Sequence, residues 1–292
     1  MSSNNSNNFK NGNNKKGSNM TMIIIALAII LVIFFIYSTV ISYTNYKKYS
    51  PFLIEGIVDA TMAKQINATK IQPSSDGQYG SEFSYSFWIF IKDTNFTNSS
   101  GTCSSGTKPL LHVFHKGSND FIATGSASGG QSGGSHYPLL QMPGVWLYPN
   151  TNKLNIRFNT YNNVVETADV GNIPLNSWVN IVITLIGSSV DVYVNGNLKK
   201  RSKLSGVPKI NYGNLFVSNY GGFNGYMSKL RYYNYAVQPF QIDQIFTQGP
   251  SLQFDSSYSN GLSSPPPELS YNYWMTTGYP NTVNTPQYRQ SP

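Results

Sequence analysis

Two different patterns of hydrophobic and polar residues divide the chain. From Met20 to Ile41, twenty-two residues run without a charge, and a helix of that length, at about 1.5 Å per residue, crosses the hydrocarbon core of a bilayer. Beyond Leu53, short apolar runs alternate with polar residues and with turn-forming residues. The first pattern predicts one transmembrane helix over residues 20–43, and the second predicts strands.

A cleaved signal peptide is the alternative interpretation of the apolar segment. A signal peptide has a shorter apolar stretch, of about 7–15 residues, that ends in small residues. Here tyrosines follow the segment, among them Tyr43 and Tyr46, as in the aromatic belt of a membrane interface. We therefore predict an uncleaved anchor with the lipid bilayer as its partner. Three lysines precede it and two follow it, which places the N-terminus on the cytoplasmic side.

The strand patterns lie between residues 53 and 249. Leu154–Phe158 alternates between apolar and polar residues, and so does 190–194, whose three valines are predicted to face a core. Asn195-Gly196 follows, the preferred pair for a two-residue hairpin turn. Further strands are predicted at 84–91, 110–114, 145–148, 178–186, 215–218 and 226–233, and a short helix at Pro239–Thr247. This pattern predicts an all-β fold, an antiparallel sandwich.

The composition of the remaining segments sets the domain organisation. Residues 1–19 are rich in Asn, Ser, Gly and Lys and are predicted to be disordered. The sandwich is assigned to residues 50–249, with polar loops at 93–108 and 125–136 at its rim. Residues 250–292 form a tail rich in Pro, Ser and Tyr, predicted to be disordered or draped on a partner.

Charge and cysteine content narrow the function. The net charge is +8, with only 11 % charged residues, and five of the lysines flank the apolar segment. That distribution does not indicate nucleic-acid binding. Cys103 is the single cysteine, so the chain contains no intramolecular disulfide, and we interpret it as an inert thiol in an exposed loop.

Catalytic signatures are weak. Retaining glycosidases use two carboxylates about 5–5.5 Å apart, and the nearest pair in sequence, Glu166 and Asp169, has the wrong spacing for one face of a strand. His112 and His115, three residues apart on a strand, are predicted to point to opposite faces, which is poor geometry for one metal. The sequence therefore predicts no enzyme and no cofactor. Calcium stays open, with Asp120, Asp169 and Asp191 as isolated candidates.

Candidate binding residues occur in two places. The densest charge in the chain follows the predicted hairpin turn, and it indicates either an anionic partner or a protected strand edge. Its members named as ligand-binding candidates are Lys199, Lys200, Arg201 and Lys203. Strand alternation would place Lys199 and Arg201 on one face. Tyr220, beside Gly221-Gly222, is a candidate platform for sugar stacking, whereas we expect Phe223 to pack inward.

Three glycosylation acceptors lie beyond the anchor. They are Asn67-Ala-Thr, Asn95-Phe-Thr and Asn98-Ser-Ser. They agree with a lumenal or external domain. Because Asn is abundant throughout the chain, chance matches are also expected, and Asn4 and Asn19 match on the other side of the anchor.

An ordered set of short motifs resembles the concanavalin A-like, laminin-G-like jelly-roll superfamily. The motifs span roughly residues 53–249 and are Phe83-Ser-Tyr-Ser-Phe-Trp88, His115-Lys-Gly-Ser118, the segment 173–182, Val190-Asp-Val-Tyr-Val-Asn-Gly196, Gly222-Phe-Asn-Gly225 and Tyr232-Tyr-Asn-Tyr-Ala236. The arrangement of tail, anchor, sandwich and tail is also similar to membrane-anchored members encoded by large DNA viruses of algae and protists.

The resemblance implies a membrane-anchored, non-enzymatic recognition or structural protein. It implies glycans or anionic surfaces as partners, or capsid and membrane proteins if the chain is a component of a virion membrane. The superfamily also contains glucan hydrolases, so a glucanase-like enzyme is the opposed hypothesis. A scaffold that binds no sugar is the third.

Overall fold

The structure, a computed structural model, describes the backbone of residues 11–19 and all of residues 20–74, 81–94, 110–119 and 138–255. The chain divides into two compact units, Met1–Lys48 and Tyr49–Pro292. The predicted loop 125–136, Cys103 and most of the predicted tail lie outside the described residues.

A single long helix, α1, occupies Asn11–Tyr49. It extends beyond the predicted 20–43 at both ends, because each polar residue added to a formed helix gains one further backbone hydrogen bond. From Met20 onward its apolar side chains are exposed all round. The helix is long and apolar enough to cross a membrane, a property that it shares with signal sequences.

Two antiparallel sheets of six strands each form the second unit. In spatial order the first sheet contains β1 (Phe52–Asp59), β12 (Asn224–Tyr233), β3 (Glu82–Asp93), β8 (Trp178–Ile186), β9 (Ser189–Val194) and β10 (Asn197–Lys203). The second contains β2 (Lys64–Ile66), β11 (Asn214–Val217), β4 (Leu111–Gly117), β5 (Gln141–Leu147), β6 (Leu154–Phe158) and β7 (Glu166–Val170). The predicted all-β antiparallel sandwich preceded by one apolar helix is confirmed.

The inward faces of both sheets form one large apolar core. Val190, Val192 and Val194 all belong to it, as their alternation predicts, and Phe223 is fully buried in it. Asn195 and Gly196 both have positive φ and turn β9 into β10. This region therefore folds as its residue pattern predicts.

A second apolar cluster lies on the other face of the first sheet. There α2 (Pro239–Thr247) covers Trp88 and Trp178, and the rings of Trp88 and Phe246 stack with their centroids 5.8 Å apart. As the first residue of the longest apolar strand, Trp178 would be expected between the two sheets, but it packs beneath the helix instead. A helix that packs on the outer face of a sheet buries it, as the second sheet buries the inner face. Both faces of β8 therefore carry apolar residues.

The described C-terminal residues continue the packed domain. The backbone of Ile57 in β1 bonds to that of Gln253 and Asp255, at 2.8 and 2.9 Å, and Phe254 forms a parallel bridge with Ile57. The sandwich therefore extends beyond the predicted end at residue 249. This segment lies along the open side of β1, which is an edge strand.

Candidate binding surfaces

The basic residues predicted as a binding site form the edge strand β10. Lys199, Lys200 and Lys203 are exposed, and within the described part of the chain no strand lies beyond β10 in the sheet. Their ammonium groups make no ion pair with any described residue. The structure thus brings the predicted lysines together on one free edge.

Arg201 differs from the lysines because it is already paired. Its Nε and Nη2 atoms donate to the two carboxylate oxygens of Asp191, both at 2.7 Å. Hydrogen bonding and attraction to Asp191 raise the pKa of Arg201. Arg201 therefore holds β10 to β9 rather than offering an unbalanced charge.

The faces of β10 do not follow simple alternation. Leu198 pairs with Tyr193 and Lys200 pairs with Val192, so Lys199 is an extra residue, a β-bulge. The expectation that Lys199 and Arg201 share a face stays a prediction, because the bulge interrupts the two-residue period on which it rests.

Tyr220 lies in a tight loop after β11 and is half-buried. Its ring stacks on Trp146, with centroids 6.1 Å apart and planes 10° apart, and its hydroxyl donates to Asn119 Oδ1. One face of the ring is thus occupied by the protein itself. A sugar could stack only on the other face.

Trp146 and Tyr220 lie in an aromatic group that also contains the paired imidazoles of His112 and His115. The sequence did not predict this pairing. His112 Nε2 lies 2.8 Å from His115 Nδ1, and both residues are fully buried. His112 pairs with Trp146 across the sheet and Phe114 with Val145, so β4 carries an extra residue between them. Val113 and Phe114 both enter the core.

That bulge corrects the prediction that the two histidines point to opposite faces. An extra residue shifts the alternation by one, so His115 returns to the face of His112, away from the core. A bulge is difficult to recognise from the pattern of apolar residues. Its one indication in the sequence was the pair of adjacent apolar residues between the two histidines.

The hydrogen bonds fix the tautomers of the neutral pair. His115 Nε2 lies 3.0 Å from the carbonyl oxygen of Ser118 and must therefore donate. Its Nδ1 then accepts from His112 Nε2, which leaves His112 Nδ1 as a buried acceptor without a hydrogen-bond partner among the described residues. Burial lowers the pKa of His115 to about 4, and burial with the neighbouring imidazole lowers that of His112 well below its usual value.

Glu166 and Asp169, the nearest match to a catalytic pair, are engaged in structural contacts. Glu166 accepts from Thr160 and Ser205, and Asp169 accepts from Asn155 and pairs with Lys153 at 2.7 Å. Burial acts to raise the pKa of each carboxyl, but these hydrogen bonds outweigh it and leave both pKa values lowered. A glycosidase acid needs a raised pKa instead.

The calcium candidates are not assembled among the described residues. Asp169 lies on β7 and Asp191 on β9, in different sheets, and each already faces a cationic side chain. No group of three or more His, Cys, Asp or Glu suited to a metal occurs in the part of the chain that the structure describes. Asp120 lies outside that part.

One of the three glycosylation candidates can be located. Asn67 is exposed and begins a single 3-10 turn, where its Oδ1 accepts from the backbone of Thr69 at 2.9 Å. A glycan would be attached to Nδ2, so Oδ1 could keep this hydrogen bond. Asn95 and Asn98 fall outside the described residues.

The two-sheet fold with its α2-covered outer face defines a lectin-like β-sandwich, and a family comparison gives the same result. The family described as the concanavalin A-like lectin/glucanases superfamily matches residues 67–243, more than half of the chain. The chain belongs to this superfamily. Among curated proteins none matches the sequence significantly.

Solved structures with a partial similarity include botulinum neurotoxin binding domains. The serotype DC domain, solved with rat synaptotagmin II, is 14 % identical with a TM-score of 0.39, over 59 % of this chain and 37 % of that one. The serotype G domain is 15 % identical with a TM-score of 0.40, over 57 % and 36 %. The chain thus spans well under half the length of these domains, and the similarity is too low to support a function.

Proposed function

We propose that this chain is a membrane-anchored, non-enzymatic recognition protein that binds an acidic glycan through the edge strand β10. The observation that carries the proposal is the row of exposed ammonium groups at Lys199, Lys200 and Lys203, which have no ion-pair partner among the described residues. Membership of a lectin-containing superfamily supports a glycan as the partner. The long apolar helix α1 supports anchoring.

An enzymatic role has little support. The two carboxyl groups closest to a catalytic pair have lowered pKa values and serve as hydrogen-bond acceptors for neighbouring loops. A general acid would have to hold its proton near neutral pH, which the surroundings of Glu166 and Asp169 oppose.

The test is to replace the three lysines by serine in the full chain, held in nanodiscs of zwitterionic lipid. Binding to an acidic polysaccharide such as heparin should be lost, and the wild-type affinity should fall as salt rises, because exposed charges are screened beyond about 8 Å at physiological ionic strength. The matched control replaces the same lysines by arginine, which keeps the charge and should keep the binding. Arg201 is left in place, because its removal would leave the carboxylate of buried Asp191 unpaired.

Two results would contradict the proposal. Unchanged polysaccharide binding after the serine replacements would leave the lysines as protection of a strand edge. Binding of anionic vesicles but not of polysaccharide would identify lipid head groups as the partner instead.

We further propose that the N-terminus is cytoplasmic, that the sandwich is lumenal or external, and that the protein is a component of a virion membrane. The lysine asymmetry around α1 supports the orientation, and the arrangement of anchor, sandwich and tail supports the virion assignment. Glycosidase digestion tests the orientation in a variant with Asn4→Gln and Asn19→Gln expressed in a secretory pathway, since a mass shift then requires a lumenal Asn67, Asn95 or Asn98.

A scaffolding role, with capsid or membrane proteins as partners, is the second candidate. It is favoured by a ledge of exposed apolar residues formed by Tyr161, Val164 and Val207, where the backbones of Tyr161 and Val207 are hydrogen-bonded at 3.0 Å. Exposed apolar clusters of this kind mark contact surfaces. Crosslinking from position 161 to neighbouring proteins in purified particles distinguishes this role from glycan binding.

A further inference from the structure

The two segments that carry the ledge, residues 159–166 and 203–212, place their polar and apolar side chains differently. The exposed fraction is between 57 and 73 % for each member of the ledge, Tyr161, Val164 and Val207. Polar side chains instead join the segments: Asn162 Nδ2 donates to the carbonyl oxygen of Ser205 at 2.9 Å, and Asn163 Nδ2 donates to the Ser205 hydroxyl at 2.8 Å. These amides are therefore used within the protein, whereas the apolar groups of the ledge face solvent.

Backbone contacts fix the shape of the ledge. The N–H of Lys209 donates to the carbonyl oxygen of Asn159 at 2.8 Å, and Thr160 forms an antiparallel bridge with Pro208. These contacts hold the two segments side by side. A surface that is already ordered loses little conformational entropy on binding, so the ledge can meet a partner without rearrangement.

The charge around the ledge favours an anionic partner. Lys209 is exposed beside it. The one acidic residue of the two segments is Glu166, and its carboxylate already accepts from Thr160 and from the backbone and hydroxyl of Ser205. Exposed apolar residues combined with tyrosine and lysine are typical of surfaces that enter the interface of a bilayer, where lysine attracts anionic head groups.

The ledge lies at the end of the sandwich where the second unit begins. The register of the first sheet aligns Tyr233 of β12 with Arg201 of β10 across the strands between them. The N–H of the next residue, Asn234, donates at 3.0 Å to the carbonyl oxygen of Tyr49, the first residue of the unit. β10 ends at Lys203, two residues after Arg201, and leads into the ledge. The same end therefore carries both the ledge and the last residue of α1.

We propose that the ledge inserts into the interface of the bilayer that α1 crosses, with Lys209 at the level of anionic lipid head groups. This inference rests on the anchoring role of α1 proposed above, and not on glycan binding by β10. Because α1 holds the sandwich at the membrane, the bilayer is present at high effective concentration, and a small apolar surface is sufficient. A protein partner, as in the scaffolding role, would not require the ledge to lie at this end of the sandwich.

The test places a nitroxide label on the ledge of the full chain, held in nanodiscs that contain anionic lipid. In a Cys103→Ser background, which removes the single cysteine, the label is attached through Val164→Cys. The matched control is Asn197→Cys, at an exposed position at the opposite end of β10. Power-saturation EPR compares the accessibility of each label to oxygen, which concentrates in the bilayer, and to a water-soluble nickel chelate. The label at position 164 should be more accessible to oxygen, and the label at position 197 to the nickel chelate.

Two variants assign the effect to the ledge. Val207→Asp adds a charge at a side chain that is 66 % exposed. It should change the label at position 164 from oxygen-accessible to nickel-accessible, because a carboxylate opposes entry into the bilayer and is repelled by anionic head groups. Val207→Leu keeps the ledge apolar and should keep the label in the bilayer. Both variants should retain a β-type circular dichroism spectrum, since Val207 does not belong to the core.

The outcomes separate this proposal from the anchoring role. A chain that co-elutes with the discs but has a nickel-accessible label at position 164 keeps its anchor and overturns the ledge contact. Crosslinks from position 161 to a protein would then assign the ledge to scaffolding. A chain that does not enter the discs overturns the anchor and, with it, this proposal.

Discussion

At the scale of single residues, protonation of the paired imidazoles links the stability of the sandwich to pH. An unfolded histidine takes up a proton below about pH 6.5, whereas folded His115 stays neutral down to a pKa of about 4. Between these values the unfolded state binds more protons. The free energy of unfolding should therefore fall as the pH falls through this window.

We expect a loss of about 1.4 kcal/mol per pH unit for each such histidine. Urea unfolding at pH 7, 6 and 5 measures the slope, and His115→Gln should reduce it because the variant has one fewer group to protonate. An equally steep slope in His115→Gln would show that other groups set the acid sensitivity.

Trp178 offers a second residue-scale prediction. Because α2 buries its ring, Trp178→Ala should cost about 3–5 kcal/mol of unfolding free energy, the usual range for a buried Trp. Tyr212→Ala is the control, since Tyr212 is 79 % exposed and should change stability by less than about 0.5 kcal/mol. Thermal melts of the two variants should separate clearly, and similar melting temperatures would contradict the burial of Trp178.

At the scale of elements, the loop from Ser218 to Gly222 depends on backbone conformations that favour glycine. Gly222 has φ of 60° and ψ of −138°, and a Cβ there would collide with the carbonyl oxygen of Ala60. That carbonyl accepts from Phe223, so the loop ties β1 to the start of β12.

Gly222→Ala should therefore lower the unfolding free energy by about 2 kcal/mol or more. Gly171→Ala is the matched control, because a Cβ at Gly171 meets nothing within 4 Å. It should be close to neutral in the same denaturation experiment. Equal effects of the two substitutions would show that the loop adapts without strain.

Regular alternation decides which elements the sequence predicts. β6 and α2 begin and end where their patterns predict because each keeps one period throughout, and β8 does so because it is one long, mainly apolar run. The sequence did not predict β1 as a separate strand, because two register shifts interrupt its period and Gly56 lies against the backbone of Asp255. The bulge in β4 likewise hid the histidine contact, and the bulge in β10 interrupts the alternation from which the face of Lys199 was predicted.

Among the candidate sites, the basic strand is the one that could be predicted from composition. The contact between His112 and His115 could not be derived from composition, because it depends on an extra residue in β4.

At the scale of the whole molecule, the second compact unit begins at Tyr49. A chain of residues 50–292 should therefore be soluble and should give a β-type circular dichroism spectrum, whereas the full chain should require lipid or detergent because of the exposed apolar side chains of α1. An insoluble product without a β-type spectrum would show that the sandwich depends on the helix.

The edges of the two sheets have a consequence for crowding. Three of the four edge strands are protected: Phe254 bridges β1 at Ile57, β2 is only three residues long, and β10 carries its lysines and a bulge. Proteins confined to a surface meet edge to edge far more often than proteins in solution, and an open strand would join neighbours into continuous sheets. Like charges on β10 would make two such edges repel. Under dense lateral packing these three strands would then not fuse neighbouring copies, which leaves β7 as the one edge strand without such a device in the described sheets.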